Sequence, residues 1–314
     1  MYLGIEIGGT KLQAAIGKPG NIEKLIRREV DPELQANGIR DQLSQIVPEL
    51  CNQYPVQHIG VGFGGPVETK NGVVTTSHQV SGWDKFPLAK WLAEISGVEC
   101  TVVNDCDAAA LAEACWGAGQ GASGVIYVTV GTGVGGGYVV NEVLQGTNRP
   151  ASLEIGHLRP GLASETPDET VESLSSGRGI ETRMQQILQD KEDDPELLEL
   201  KLHLLAGDER LNAKQVCLAA AEGNPAAVEI IKTACQTLGW AIAQSITLLA
   251  PECVVIGGGV SLAGDKLFFG PVRKSVEKYV FSGLLDSYRI EPAALGEEVV
   301  LHGALQIAAQ AASS

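Results

Sequence analysis

The stretch Thr101-Val-Val-Asn-Asp-Cys-Asp-Ala-Ala-Ala110 places Asn104 and Asp105 where an apolar strand runs into an alanine-rich helix. Ligands of open α/β sheets bind outside the carboxyl ends of strands. A carboxylate at this junction can take a proton from an alcohol while Asn104 orients that alcohol. Phosphoryl transfer needs little more from a protein than a positioned hydroxyl, a base and clamps for the phosphate charges. The competing reading of Asn104 and Asp105 is a helix N-cap, for which both residue types are favoured. Asp107 is available as that cap, which would leave Asp105 free. A second polar group is Ser152-Leu-Glu-Ile-Gly-His157, followed by Glu172. Glu154 and His157 are three apart and can face one ligand from a single turn, and a carboxylate–imidazole pair suits a hydroxyl-rich molecule. A zinc site would need softer ligands nearby, and no cysteine lies between Cys115 and Cys217. His58, His203 and His302 show no partner pattern and read as structural.

Three glycine turns, each after an apolar strand, could clamp a phosphorylated ligand. In Gly4-Ile-Glu-Ile-Gly-Gly-Thr-Lys11, Gly8 and Gly9 let the backbone approach an anion closely. Thr10 adds a hydroxyl and Lys11 a positive charge, and Glu6 could hold Mg²⁺ through water. An ordinary β-hairpin turn is the plain alternative. The second turn, Val128-Thr-Val-Gly-Thr-Gly-Val-Gly-Gly-Gly137, carries Gly131, Thr132 and Gly133. Its glycines resemble a dinucleotide-binding fingerprint, but that fingerprint needs a helix next and an acidic residue about 20 positions on. Here Tyr138-Val-Val follows, a strand, so a hairpin facing a phosphate fits better. No Walker A pattern occurs. The third turn, Gly257-Gly258-Gly259, lies between an apolar strand and an expected helix, and adenine could lie on such bare backbone. The alternative is a strand-to-helix turn that needs positive φ.

The elements that would position these groups alternate as strands and helices. Tyr2 to Ile16 predicts a hairpin, Ile39 to Tyr54 a helix, and His58 to Val67 a strand running into a glycine turn. Leu88 to Gly97 predicts a helix, Val98 to Asn104 a strand, and Asp105 to Trp116 a helix. Gly124 to Val130 predicts a strand, Gly131 to Gly137 a turn, and Tyr138 to Val140 a strand. That second strand–glycine–strand unit echoes the first, which implies a duplicated α/β architecture with a cleft between halves and a boundary near 117–121. Residues 185–207 have a charged helical period with an acidic block over 190–199, which reads as a solvated insertion. Pro225 to Leu249 predicts a long buried helix, Pro251 to Ile256 a strand, and Gly296 to Ala312 a turn, a short apolar strand and a closing helix.

Composition bounds the rest. A chain of 314 residues with 44% hydrophobic and 19% charged residues can bury a core for two domains. The net charge of −15 and the absence of a Lys/Arg run argue against a nucleic-acid partner. An anionic ligand such as ATP would therefore be captured locally. Seven scattered cysteines without a C-x-x-C pair read as reduced thiols of a cytoplasmic protein. No signal peptide and no run of ~18 apolar residues is present, so no membrane partner is expected.

These residues resemble the ROK family of sugar kinases and repressors within the actin-like ATPase superfamily. Gly4 to Lys11 and Val128 to Gly137 resemble that superfamily's two phosphate loops, and Pro251 to Ser261 its adenosine loop. Gly62-Phe-Gly-Gly-Pro-Val67, with Gly65, is similar to the sugar-site loop, and Asn104-Asp105 to the sugar-orienting Asn and catalytic Asp. Glu154-Ile-Gly-His157 matches the E-x-G-H motif, and Val171-Glu-Ser-Leu-Ser-Ser-Gly-Arg-Gly-Ile180 the segment whose Glu, here Glu172, also binds the sugar. The resemblance implies duplicated actin-like (ribonuclease H-like) domains. Residues 1–117, completed by a C-terminal helix over 300–314, would form the sugar and phosphate domain, and 118–299 the nucleotide-binding domain. It also implies a homodimer and an ATP- and Mg²⁺-dependent kinase whose sugar lies between the domains.

Two departures stand out. The first loop usually carries Asp where this chain has Glu6. The family's cysteine-rich zinc segment is replaced by the cysteine-free Leu158 to Thr170, so no structural zinc is expected. Family repressors carry an N-terminal helix-turn-helix, whereas this chain begins almost at the first phosphate strand, so a kinase is expected rather than a transcription factor. A non-catalytic sugar sensor is the rival that Glu6 and the missing zinc segment motivate. An NAD-dependent oxidoreductase would rest on the second glycine turn alone.

Overall fold

Alternation of apolar residues makes the first hairpin: β1 (Tyr2–Ile7) and β2 (Lys11–Lys18) pair antiparallel and set Glu6 opposite Gln13. β3 (Asn21–Glu29) extends the hairpin, while β4 (Ile59–Phe63) and β7 (Cys100–Asn104) continue the sheet in parallel on the other side of β1. The order is β3-β2-β1-β4-β7. β4 is buried throughout, as strands covered on both faces are. Helix α3 (Asp105–Trp116) and the closing helix α9 (Val299–Ala312) pack on each other, and α9 also lies on β1 and β4. Helix α1 (Gln35–Gln53) packs against α2 (Leu88–Ser96), and both bury apolar residues in the same core as β1 and β4. Two short strands, β5 (Val67–Glu68) and β6 (Val73–Val74), form a separate pair after the glycine turn at Gly64 and Gly65.

The second five-stranded sheet repeats the order of the first. It consists of β8 (Gly124–Val130), β9 (Val134–Val140), β10 (Val143–Leu144), β11 (Cys253–Gly257) and β12 (Arg289–Pro292), arranged β10-β9-β8-β11-β12. The duplication expected from the two strand–glycine–strand units is thus present as two sheets of one strand order. Around α7 (Pro225–Leu249) pack α4 (Val171–Ser175), α5 (Gly177–Asp190), α6 (Ala213–Ala221) and α8 (Gly270–Tyr279). α7 starts with a capping Asn224, whose side chain accepts from the Ala227 N–H, and with Pro225 in its first turn, a favoured start for a long buried helix.

The computed structural model describes residues 1–77, 80–147, 149, 152–161, 168–190 and 211–313. Its chain gathers into two compact units, one of Met1–Tyr127, Gly136–Leu153 and Ala293–Ser314, the other of Val128–Gly135 and Glu154–Pro292. Several expectations need correction. The turn expected over 131–137 is shorter, because β9 already begins at Val134. Its glycines serve packing: a Cβ on Gly137 would lie 2.7 Å from the Cys106 carbonyl of α3. No strand precedes the last helix; Val299 to Leu301 are its first turn, buried where α9 meets β1, β4 and α3. A 3₁₀ turn over Gly259–Ala263 and a π turn over Asp265–Phe269 separate the third glycine turn from α8. β3, paired with β2, was not anticipated. Of the acidic block, 191–199 lies outside the described residues, as does His203.

One buried carboxylate ties the first unit together. Glu113 on α3 is fully buried and accepts from the backbone N–H groups of Ala118 (2.8 Å), Ala294 (2.9 Å) and Leu295 (2.9 Å). It thereby secures the end of α3 and the chain that leads into α9. Glu113→Ala would remove the shared acceptor of three amide donors, and a buried donor left unsatisfied costs about 1–3 kcal/mol. We expect the midpoint of urea unfolding to fall clearly, by more than for Glu113→Gln, in equilibrium denaturation of the two variants.

Candidate active site

In the first unit, β7 ends at Asn104 and Asp105 opens α3. Asn104 is the N-cap: its Oδ1 accepts from the Cys106 N–H at 2.8 Å. This corrects the assignment of the cap to Asp107, which lies a turn too far into the helix for that role. The same Asn104 side chain donates through Nδ2 to the Gly65 carbonyl at 3.0 Å, so one amide joins the helix start to the glycine loop after β4. Asp105 also accepts from the Cys106 N–H, at 2.9 Å through Oδ1. Its Oδ2 faces Gly64: a Cβ there would lie 3.5 Å from Oδ2 and 3.7 Å from the Gly8 Cα. The candidate base, the glycine loop with Gly64 and Gly65, and the first phosphate turn therefore meet at one point. Burial pushes the Asp105 carboxyl up to about 6, against the pull of the Cys106 N–H, and the negative charge of Glu6 adds to the rise.

Glu6 is buried at the end of β1. Its Oε1 stands 3.1 Å from the Lys11 ammonium and its Oε2 accepts from Gln13 Nε2 at 2.8 Å. Burial raises its pKa, while Lys11 and Gln13 oppose the rise. Gln13 Oε1 in turn accepts from Arg27 Nε at 3.0 Å, and Arg27 Nη2 pairs with Glu298 at 2.9 Å. Gly8, Gly9 and Thr10 form the turn itself, closed by the Gly8 N–H on the Lys11 carbonyl at 3.0 Å.

In the second unit, the second and third glycine turns line one cavity of about 1310 Å³. Gly131 and Thr132 stand on one wall and Gly259 on another, with no atom near enough to either glycine to meet an added Cβ. Gly257 ends β11, and Gly258 has φ +90°, with a Cβ position only 2.5 Å from the Val130 backbone, so both reasons for glycine apply there. The remaining walls come from α5, α6 with the chain just before it, and the 3₁₀ turn over Gly259–Ala263, and mix Leu211, Leu218, Val260 and Leu262 with Arg178 and Lys214. Glu154 caps and His157 ends a 3₁₀ turn over Ile155–His157, both exposed, with Nε2 and Oε2 3.9 Å apart. Glu172 lies against the second turn: its Oε2 accepts from the Val134 N–H at 2.9 Å.

A model of the ROK family matches residues 2–311 of this chain. The chain belongs to the ROK family. It is 28% identical to the glucokinase of Thermotoga maritima, over 97% of this chain and 96% of that protein. It is 32% identical to an N-acetylmannosamine kinase of Escherichia coli O1:K1, over 96% of this chain and 98% of that protein. In structure it is similar to the ROK family glucokinase of Streptomyces griseus solved with glucose and AMPPNP, with a TM-score of 0.80 and 29% identity over 98% of this chain and 99% of that one. The fold is accordingly the duplicated actin-like α/β fold of ROK sugar kinases.

The structure brings Asp105, Asn104, Gly65 and Gly8 together, and separately Gly131, Thr132 and Gly259. It shows Glu172 engaged with the second turn. Gln13 and the α5 and α6 walls of the cavity escaped the sequence reading. Gln13 could have been found from the hairpin register, since a two-residue turn at 9–10 pairs 8 with 11 and sets position 13 opposite position 6. His58 does have a partner, with Nε2 3.0 Å from Thr101 Oγ1. Among the described residues, no group of three or more His, Cys, Asp or Glu side chains could hold a metal ion, and no helix is long and apolar enough to cross a membrane. Gln13→Leu would strip Glu6 and Arg27 of a shared partner, at about 1–3 kcal/mol for a buried polar group left unpaired. Thermal melts should show a lower Tm for Gln13→Leu, with Gln13→Glu worse still because it sets two carboxylates together.

Proposed function

We propose that this chain, a sugar kinase of the ROK family, transfers the γ-phosphoryl group of ATP to a hydroxyl of a hexose or hexose derivative. Glucose is the first candidate. Asp105 is the general base. As the sugar oxygen bonds to the γ-phosphorus, Asp105 takes the hydroxyl proton, the bond from γ-phosphorus to the bridging oxygen breaks, and ADP leaves. Asn104 and Gly65 orient the sugar, with Glu154, His157 and Glu172 as further partners of its hydroxyls. Gly8, Gly9, Thr10 and Lys11 contact the phosphates, as do Gly131, Thr132 and Gly133. Gly257, Gly258 and Gly259 lie against adenosine.

The observation that carries this reading is Asp105 itself. It is a carboxylate with a pKa pushed to about 6, set beside two backbone turns that lack side chains. A base poised near the working pH combines the right protonation state with proton affinity. Mg²⁺ fits the first turn as an ion held through water. Glu6 is one carboxylate beside a phosphate turn, and Mg²⁺ on substrate phosphates typically uses one or two carboxylates and keeps several waters. When bound, the ion supplies positive charge to the phosphates, while Lys11 and Gln13 hold Glu6 in place.

A panel of hexoses with ATP, read by ADP release, tests the assignment. Binding of a sugar without ADP release would favour a non-catalytic sensor. Asp105→Asn should lower kcat by about 10²–10⁴-fold, with the sugar KM little changed and the Tm no lower than wild type at pH 8, because a buried charge is removed. Turnover near the wild-type rate would overturn the base. The base must be ionised, so kcat/KM should be level above pH 7 and fall about tenfold per unit below about pH 6. The same profile in the residual activity of Asp105→Asn would assign the limb to another group.

A further inference from the structure

We infer that Glu172 couples the two substrates: its carboxylate joins the sugar site to the Gly131–Gly133 phosphate turn, so that sugar and nucleotide each tighten the binding of the other. This rests on the proposed kinase reading, in which Glu172 meets a sugar hydroxyl. Its backbone is fixed first. Thr170 and Ser173 form a reciprocal capping box at the start of α4, with Glu172 between them. From there Oε2 accepts the Val134 N–H at 2.9 Å, and among the described residues Oε1 has no protein donor. One oxygen thus holds the phosphate turn while the other is available to a hydroxyl.

Two close approaches make this contact stiff. A Cβ on Gly133 would lie 2.5 Å from Oε2 and 3.3 Å from Cδ, so a glycine at 133 is what lets the carboxylate reach the turn. On the other side of the same residue, a Cβ on Gly156 would collide with the Val134 carbonyl. Val134 is therefore held by its N–H from Glu172 and pressed at its C=O by the turn that carries Glu154 and His157. The Gly177 N–H, at the start of α5, binds the Gly131 carbonyl at 2.7 Å, which anchors the opposite end of the turn. A sugar that fixes the orientation of the Glu172 carboxylate must also fix the Val134 N–H and the turn behind it. By linkage, a nucleotide that orders the turn favours the sugar by the same factor.

The test is a pair of titrations: AMPPNP with and without saturating D-glucose, and D-glucose with and without saturating AMPPNP, with N-acetylmannosamine run in parallel. Wild type should show the same tightening, about fivefold or more, in both directions. Gly133→Ala displaces the carboxylate and should bring the factor close to one. It should also weaken the sugar about tenfold, although residue 133 belongs to the phosphate turn. Glu172→Ala should abolish the coupling as well, and Glu172→Gln, which can still accept from Val134, should keep part of it. These two variants decide the matter if Gly133→Ala does not fold. Wild type that binds both ligands with a factor of one would overturn the coupling and leave the kinase reading standing. So would Glu172→Ala with unchanged coupling. Wild type that neither binds nor phosphorylates any sugar of the panel would overturn the kinase reading and the coupling with it.

Discussion

The desolvation of Asp105 is the constraint around which the first unit is arranged. A carboxylate where a strand becomes a helix should be stabilised as an anion, since the N–H groups of the first turn and the helix dipole favour negative charge. The Cys106 N–H does pull in that direction. Burial outweighs it and leaves the carboxyl at about 6, well above its ordinary 3.8. The surroundings that enforce this are backbone rather than side chains: Gly64 above Oδ2, Gly8 behind it, and Asn104 holding the Gly65 carbonyl. The cost is borne by a packed sheet, in which β1, β4 and α9 bury Leu3, Ile5, Val61 and Leu301 completely.

The second unit meets the opposite electrostatic problem. A chain with net charge −15 must hold a polyanion. The positive groups available to it are local. The Gly131 N–H is held by the Gly133 carbonyl and the Gly177 N–H by the Gly131 carbonyl, so the positive charge on the cavity wall comes from Arg178 and Lys214. Leu211, Leu218, Val260 and Leu262 line the same cavity. Leu218 and Leu262 are exposed although they are large and apolar, which is costly unless a flat apolar ring covers them. The cavity lining thus mixes charged and apolar side chains.

How much of this was legible in the sequence depended on whether a residue's role is local. Asn104, Asp105 and the glycine turns could be read because a strand end, a helix start and a tight turn impose residue types within a few positions. Gly133 and Gly137 show the limit. Both looked like turn residues, yet Gly137 lies within β9 and is glycine because α3 passes over it, and Gly133 because Glu172 lies against it. Val299 to Leu301 looked like a strand because a short apolar run carries no period of its own. Only burial on both sides, by β1, β4 and α3, shows it as the first turn of a helix. Arg178 and Lys214 gave no signal, because their meaning comes from the cavity that α5 and α6 enclose.

Glu6 is one of the two departures that motivate a non-catalytic reading, and its neighbours point the other way. A side chain longer by one methylene than the family's Asp has an extra torsion to fix before its carboxylate has a defined position. Here that freedom is removed. Oε1 is held by Lys11 and Oε2 by Gln13. Gln13 is oriented by Arg27, and Arg27 by Glu298 at the start of α9. The chain of contacts crosses β1, β2 and β3 and ends in an exposed ion pair at the cap of α9, so the carboxylate is braced from both of its oxygens. A sensor with no need to place a metal-bound phosphate would have no reason to keep a buried carboxylate whose charge also raises the pKa of Asp105. The arrangement Glu6–Gln13–Arg27 therefore weighs toward a working phosphate site, reached with a longer acid and a side-chain brace rather than with the shorter acid alone.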